Sequence, residues 1–245
     1  MQTSKIIIAA ALAALSMPAT AQSESGLVVE AEAEKRITKD LSLGIGGDFR
    51  TRNDFKTIDR WSLGLSLNYK LASWLKADAG YKLLNTNFRE DIDYDKSGDY
   101  NHWQPSYWGL RHRLYASLTG SYKFSSGIKI SLRERLQYTY RPEKTVQRWD
   151  FDDEQWEDKV RHGTAKNQLH SRFQIEYAPK DHLFAPFASI ELYNSWNIEK
   201  VRYNIGTDIR LNKQNTLSLF YRFQDYSSSD DTDMHYLGIG YKFKF

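Results

Sequence analysis

The chain of 245 residues contains no cysteine. An exported protein without cysteine has no disulfides, so its stability depends on side-chain packing or on a closed ladder of backbone hydrogen bonds. The mean hydropathy is -0.66, and no run of about 20 apolar residues follows the N-terminal segment. Membrane-spanning helices are therefore excluded. A β-barrel is not, because only every second strand residue faces lipid.

Signatures of metal, cofactor and nucleic-acid chemistry are also missing. The six histidines have no metal-ligand spacing, and no glycine-rich phosphate loop is present. Gly44, Gly46 and Gly47 lie instead in a segment that alternates like a strand. The basic residues are spread along the strands and do not form one surface stripe, so we predict no cofactor and no nucleic-acid partner.

The N-terminus has the pattern of an export signal. Lys5 precedes an apolar run from Ile6 to Leu15, and Ala19-Thr20-Ala21 resembles a cleavage site before Gln22. We predict a cleaved signal peptide over residues 1–21 and a mature chain over residues 22–245. The alternative is an uncleaved helical anchor. Without Lys5 the mature chain has 33 basic and 31 acidic residues.

Apolar and polar residues alternate with period two from residue 41 to the C-terminus. One example is Trp61, Leu63, Leu65, Leu67 and Tyr69, which alternate with polar residues or glycine. At about 3.3 Å per residue and a tilt near 40°, the two aromatic residues are roughly 20 Å apart in height, close to an outer-membrane apolar band. Ten such segments, and an eleventh candidate at residues 27–35, predict an all-β fold: a single antiparallel transmembrane β-barrel of 10–12 strands. A soluble carbohydrate-binding sandwich is the competing fold.

Short and long connections alternate along the chain. Tight turns are predicted near residues 36–40, 70–74, 123–127, 178–182 and 211–215, and long polar loops at 85–107, 142–165 and 225–233. Counted back from the C-terminus, all long loops lie at one end. This favours short periplasmic turns and long extracellular loops. The three long loops are acidic and would attract divalent cations, which could join them to lipopolysaccharide phosphates.

The last nine residues, 237–245, predict a strand with one apolar face. Tyr241, Phe243 and Phe245 resemble the C-terminal signal that the barrel-assembly machinery reads. Lys242 and Lys244 lie on the other face. They are candidate partners for glutamates of the first strand if that strand closes the barrel.

Charged residues dominate the predicted inward face. We predict a lumen charge network of Glu30, Glu32, Glu34, Asp48, Arg50, Arg60, Arg111, Arg113, Arg133, Arg135, Arg172, Glu176, Glu191, Arg202, Arg210 and Arg222. In one interpretation arginine and glutamate pair across a narrow lumen and fill it. In the other, the arginines attract anionic solutes into a pore.

Two further motifs are candidate sites. Asp91, Asp93 and Asp95 alternate like calcium ligands, but Lys96 and His102 replace the glycine and glutamate of a helix-loop-helix calcium loop. A lipid hydrolase would need a histidine near the outer rim, such as His112 or His235. Its nucleophile would be Ser106 or a serine within Ser227–Ser229, although no fixed motif supports this.

Several short motifs point to a known family. They are Arg50-Thr51-Arg52, Asp59-Arg60-Trp61-Ser62-Leu63-Gly64, Tyr69-Lys70, Ala79-Gly80-Tyr81 and Leu132-Arg133-Glu134-Arg135-Leu136-Gln137-Tyr138. The chain resembles the small outer-membrane barrels of domain of unknown function 2490 over most of its mature length. The resemblance implies an outer-membrane location and no assigned activity.

The functional expectation is a barrel of the bacterial outer membrane with a structural or surface-interaction role, an occluded lumen and no enzymatic activity. Its expected partners are outer-membrane lipid, lipopolysaccharide and the barrel-assembly machinery. A narrow channel for small anionic solutes is the first alternative, and an outer-leaflet lipid hydrolase is the second.

Overall fold

The computed structural model describes residues 23–179, 182–228 and 231–245. The expected signal peptide and its cleavage site lie outside these residues. The described chain folds into fifteen strands. None of its segments forms a helix of the length and apolarity needed to cross a membrane.

The strands are numbered in chain order. They are β1 Ser23–Arg36, β2 Leu41–Arg52, β3 Thr57–Lys70, β4 Leu75–Phe88, β5 Asp91–Tyr94, β6 Tyr100–Gln104, β7 Tyr107–Lys123, β8 Ile128–Arg141, β9 Lys144–Asp150, β10 Gln155–Arg161, β11 Thr164–Tyr177, β12 Phe184–Ser195, β13 Asn197–Arg210, β14 Asn215–Tyr226 and β15 Asp233–Lys244. Eleven of them close into a barrel in the order β1-β15-β14-β13-β12-β11-β8-β7-β4-β3-β2. The predicted range of 10–12 strands is confirmed.

The barrel has its polar side chains inside and its apolar side chains outside. Leu63, Leu65 and Leu67 of β3 are 54%, 60% and 50% exposed, whereas Ser62 is buried. Charged residues such as Asp48 and Glu191 are among the most buried of the described chain. This reversal of the soluble pattern is what a barrel in lipid requires, because its outer surface contacts acyl chains.

The barrel closes through a parallel pair. Ten neighbouring pairs are antiparallel, as predicted, but β1 runs parallel to β15, with Val28 opposite Gly238. The reason is the odd count: in an up-and-down meander the first and last strands run the same way when the number of strands is odd. The segment at residues 27–35 is therefore a full strand. The segment with Pro186, the least regular in the sequence, is the continuous strand β12, whose pairing with β13 has one register shift, between Tyr193 and Asn194.

Successive connections alternate between the two ends of the barrel. The β1–β2, β3–β4, β7–β8, β11–β12 and β13–β14 connections define the turn end, and the other connections define the loop end. The segments predicted as polar loops at 85–107 and 142–165 are more structured than expected. They contain β5, β6, β9 and β10, which form a separate sheet at the loop end in the order β10-β9-β6-β5, here called the loop sheet. Its strands are short and mostly polar, so the sequence gives little strand signal there.

Candidate functional site

A buried group of polar side chains lies inside the barrel around Glu191 on β12. Its Oε2 accepts hydrogen bonds from the Tyr193 hydroxyl at 3.0 Å and from Nη1 of Arg202 at 3.1 Å, and lies 3.0 Å from Nε2 of His170. Arg202 also donates through Nη2 to the Gln224 Oε1 at 2.8 Å. These five residues, called the Glu191 cluster, come from four adjacent strands and are only 2–7% exposed.

A second cluster surrounds Asp48 on β2. Its carboxylate pairs with Arg50 at 3.1 Å, with Arg60 at 2.9 Å and with Lys82 at 3.0 Å, and it also accepts a hydrogen bond from Ser62. One carboxylate thus faces three cations. The Asp48 cluster therefore carries an excess of positive charge. Either surrounding carboxylates or a bound anion must balance that excess.

Further ion pairs join strands nearer the turn end. They are Asp78–Arg135 at 3.1 Å, Glu176–Lys129 at 3.3 Å, Glu176–Arg210 at 3.2 Å, Glu30–Arg222 at 3.4 Å, Glu32–Lys242 at 2.8 Å and Glu34–Lys242 at 2.9 Å. The structure therefore brings most of the predicted lumen network into pairs. It leaves Arg111, Arg113, Arg133 and Arg172 without a carboxylate within 4.0 Å among the described residues.

The sequence prediction missed several lumen residues. Lys82, His170, Tyr193, Lys200 and Gln224 all contact the network or line the lumen. Each occupies the inward parity of its strand, as Tyr193 shares the parity of Glu191 on β12 and Lys200 that of Arg202 on β13. Strand alternation in the sequence therefore carries the signal that could have identified them.

Two cavities occupy the lumen. The loop-end cavity has a volume of about 880 Å³ and is lined by nine basic and three acidic residues. The turn-end cavity has a volume of about 630 Å³ and is lined by seven basic and six acidic residues. Arg50 lines both, so the Asp48 cluster lies where the two cavities meet. The two ends of the lumen thus differ sharply in charge.

The loop sheet has one apolar and one charged face. Ile92, Trp103, Trp149 and Trp156 lie in register across its four strands, and Trp156 is 48% exposed. Neighbouring tryptophan rings are 5.5–5.8 Å apart between centroids, within the range of favourable aromatic contacts. This row is absent from the sequence prediction, because the register between β6 and β9 cannot be read from the chain.

The charged face contains the one group of potential metal ligands found among the described residues, His102, Asp150 and Glu157. The His102 Nε2 lies 3.3 Å from a carboxylate oxygen of each acid. Hydrogen bonds from the backbone N–H groups of Asp153 and Asp152, with the nearby His102 and Arg148, hold the pKa of Asp150 below its usual range despite partial desolvation. Arg148 already donates to the Glu157 oxygen that faces His102, so this group is internally compensated.

The calcium candidates are split by the turn that follows β5. Asp91 and Asp93 lie on that strand, and Asp91 pairs with Arg161 at 3.5 Å. Asp95 lies in the turn, where its Oδ1 accepts the backbone N–H groups of Ser97 at 2.8 Å and Asp99 at 2.9 Å. The Asp95 carboxylate is therefore occupied by its own loop.

The two rim histidines belong to aromatic groups on the outer surface. The Nδ1 of His112 lies 2.7 Å from the Tyr81 hydroxyl, and that of His235 lies 2.6 Å from the Tyr221 hydroxyl. Among the described residues, which exclude Ser229, neither histidine has a hydrogen bond to a serine. The arrangement is that of interfacial aromatics.

Glu134 is a charged residue on the outward-facing, otherwise apolar side of β8. It lies between the exposed residues Leu132 and Leu136 and is itself exposed. Its carboxylate accepts a hydrogen bond of 2.6 Å from Ser171, the residue opposite it on β11. Carboxylates in this position are rare, because the surrounding acyl chains do not solvate them. The parity of β8 carries this signal in the sequence.

The C-terminal aromatic residues lie beside the seam. Tyr241 donates a hydrogen bond to Asn215 of β14, and the rings of Phe243 and Phe245 stack at 5.4 Å. The backbone N–H of Phe245 donates to the Glu34 carbonyl at 3.0 Å. The end of the chain is thus tied into both neighbouring strands.

An eleven-stranded barrel with an apolar exterior and an ion-paired interior is an outer-membrane-like β-barrel. The family model described as "Protein of unknown function (DUF2490)" matches residues 28–235, and the chain belongs to that family. The resemblance inferred from the sequence is confirmed.

A solved structure shares the architecture. The β domain of the Bordetella autotransporter BrkA matches with a TM-score of 0.53 at 12% identity, covering 86% of this chain and 86% of that one. At this identity the likeness concerns the fold alone. No curated protein matches the chain.

Proposed function

We propose that this protein is a bacterial outer-membrane barrel with an occluded lumen and a structural or surface-interaction role. The observation that carries the proposal is the Glu191 cluster. Five side chains from four strands, including Glu191 and Arg202, form mutual hydrogen bonds between the two lumen cavities, since Glu191 lines the turn-end cavity and Gln224 the loop-end cavity. A solute crossing the barrel would have to displace them, and separating a buried ion pair costs about 3–5 kcal/mol.

The proposal includes the cellular placement. The chain is exported, cleaved near Ala21 and Gln22, and inserted by the barrel-assembly machinery with the loop end outside the cell. There the loop sheet would meet lipopolysaccharide, and its exposed Trp156 and acidic side chains would form the contact surface. No catalytic role is part of the proposal.

Planar-bilayer recordings of the purified protein test the occlusion. We expect no stable single-channel steps from the wild-type protein. The double variant Glu191→Ala, Arg202→Ala removes both charges of the central pair and is expected to introduce steps. Stable steps from the wild-type protein would overturn the proposal.

The alternative is a narrow channel for small anions, and the nine basic residues of the loop-end cavity favour it. If the wild-type protein conducts, this alternative predicts that the reversal potential measured under a salt gradient will show anion selectivity. Neutral replacements of Arg133 and Arg135 should then weaken the selectivity. Cation selectivity would refute it.

A further inference from the structure

The loop-end cavity contains more positive charge than its own carboxylates neutralise. Of its nine basic residues, Arg50 and Arg60 pair with Asp48. The others with partners are Arg52 with Asp59, Arg89 with Glu24 and Lys166 with Glu199. Four cations, Arg111, Arg113, Arg141 and Lys200, have no carboxylate within 4.0 Å among residues 23–179, 182–228 and 231–245.

Neutral groups hold these four cations in place. The Arg111 and Arg141 guanidinium groups lie 4.6 Å and 5.5 Å from the centre of the same ring, that of Phe88. Arg113 donates through Nε to the Thr139 hydroxyl at 3.1 Å. These contacts orient the side chains but leave their charge uncompensated.

Lys200 approaches the cavity from another part of the wall. It lies on β13, which β12 and β11 separate from β8. Its Nζ is 4.7 Å from the Tyr193 ring centre and 5.2 Å from that of Tyr226. A lysine held only by aromatic faces keeps its donors available for an anion.

The buried atoms of the arginines also lack partners. Among the described residues, Nε of Arg60 and Nε of Arg141 are buried without any hydrogen bond. Buried donors are normally satisfied, so unsatisfied ones in a cationic cavity indicate a missing acceptor. The turn-end cavity also has such atoms, Nε of Arg133 and Nη1 of Arg222, but it differs in charge balance: its seven basic residues face six acidic ones, against nine and three in the loop-end cavity.

We propose that the loop-end cavity is a binding site for a small soluble anion of the phosphate class that carries at least two charges. Arginine forks match the oxygens of phosphate, and one phosphate presents several acceptors to converging donors. We expect a soluble ligand and not a lipid headgroup, because these side chains face the polar lumen, which does not accommodate the acyl chains of a lipid. The site is independent of whether the barrel conducts, since it requires only access from the loop end.

Isothermal titration of the full chain in a zwitterionic detergent with inorganic pyrophosphate tests the site. We expect saturable binding that weakens as NaCl is raised, because salt screens the cations. The double variant Arg111→Gln, Arg141→Gln should weaken binding by about tenfold or more, because each substitution removes a charge-assisted hydrogen bond to the ligand. Lys200→Gln should weaken it by a smaller factor.

The matched control is Arg133→Gln with Arg172→Gln, which removes the same charge from the turn-end cavity. Its affinity for pyrophosphate should stay within about twofold of the wild-type value. Folding of each variant is checked by its heat-modifiable migration in gels. If the Arg111 and Arg141 variant does not fold, the Lys200→Gln comparison with the control decides the question.

Three results would overturn the proposal. The first is the absence of binding at low salt. The second is an equal loss of affinity in both double variants, which would reduce the effect to net charge. The third is equal binding of citrate, whose charge is similar to that of pyrophosphate, which would reject the phosphate class. Conductance is recorded separately in planar bilayers. The binding measurement therefore tests the anion site, and the conductance measurement tests the occluded lumen.

Discussion

Two glutamates show that the effect of the same side chain on stability depends on the face of the barrel on which it lies. Glu191 faces the lumen, is 5% exposed, and is satisfied by Arg202, Tyr193 and His170. Glu134 lies on the outer face of the barrel and accepts a hydrogen bond from Ser171. A carboxylate surrounded by acyl chains destabilises the barrel unless another polar or charged group contacts it. A carboxylate in the lumen that is paired with cations and hydrogen-bond donors carries no such cost.

Replacing Glu134 by leucine is expected to stabilise the barrel by about 1 kcal/mol, because a lipid-facing carboxylate costs up to a few kcal/mol depending on its depth. Glu134→Gln removes the charge but keeps a polar group, and should give a smaller gain. Urea unfolding in phospholipid vesicles measures both. A loss of stability in Glu134→Leu would mean that the bond to Ser171 outweighs the cost of the charge.

At the scale of elements, the parallel seam between β1 and β15 depends on side chains as well as on its ladder. Parallel pairs are slightly less stable per residue than antiparallel ones. Lys242 adds two ion pairs across this seam, to Glu32 and Glu34. Ser42 supports Glu34 from β2 with a 2.6 Å hydrogen bond.

Lys242→Gln removes both ion pairs and should lower the free energy of unfolding by about 1 kcal/mol, since the pairs are partly exposed and screened. Lys244→Gln is the matched control. Lys244 lies on the same face of β15 but has no ion pair among the described residues. Guanidinium unfolding in detergent compares the two. Equal effects would show that the seam does not depend on these pairs.

At the scale of the whole molecule, the barrel and the loop sheet are separately paired structures. No strand of the loop sheet pairs with a barrel strand in the described chain. Arg141 pairs directly with Thr164, and Phe88 with Tyr107, so each long insertion leaves and returns at adjacent positions. The barrel is therefore closed without the loop sheet.

Replacing residues 144–161 with a short glycine-serine linker should leave the barrel folded, with an unfolding free energy within about 1 kcal/mol of the wild type. Long surface insertions contribute mainly a small loop-closure entropy. The corresponding replacement of residues 91–104 is the matched variant. Heat-modifiable migration and urea unfolding report the result, and loss of the folded band in both variants would contradict separate folding.

The amino-acid sequence by itself determined the all-β class, the barrel, the range of strand number and the inward position of most lumen charges. The reason is that strand alternation is local: Leu63, Leu65 and Leu67 indicate their face without reference to any partner. The same locality identifies Arg133 and Arg135 as inward residues, but it says nothing about which carboxylate each one meets.

Only the tertiary structure decided the parallel seam, the loop sheet, the pairing of Lys242 with Glu32 and Glu34, and the difference in charge between the two cavities. These features depend on register and on closure between segments far apart in the chain, as Val28 and Gly238 are. A shift of one residue in register would move every side chain of a strand to the opposite face. Which residues face the lumen is therefore a local property, while which of them remain uncompensated is a property of the closed barrel.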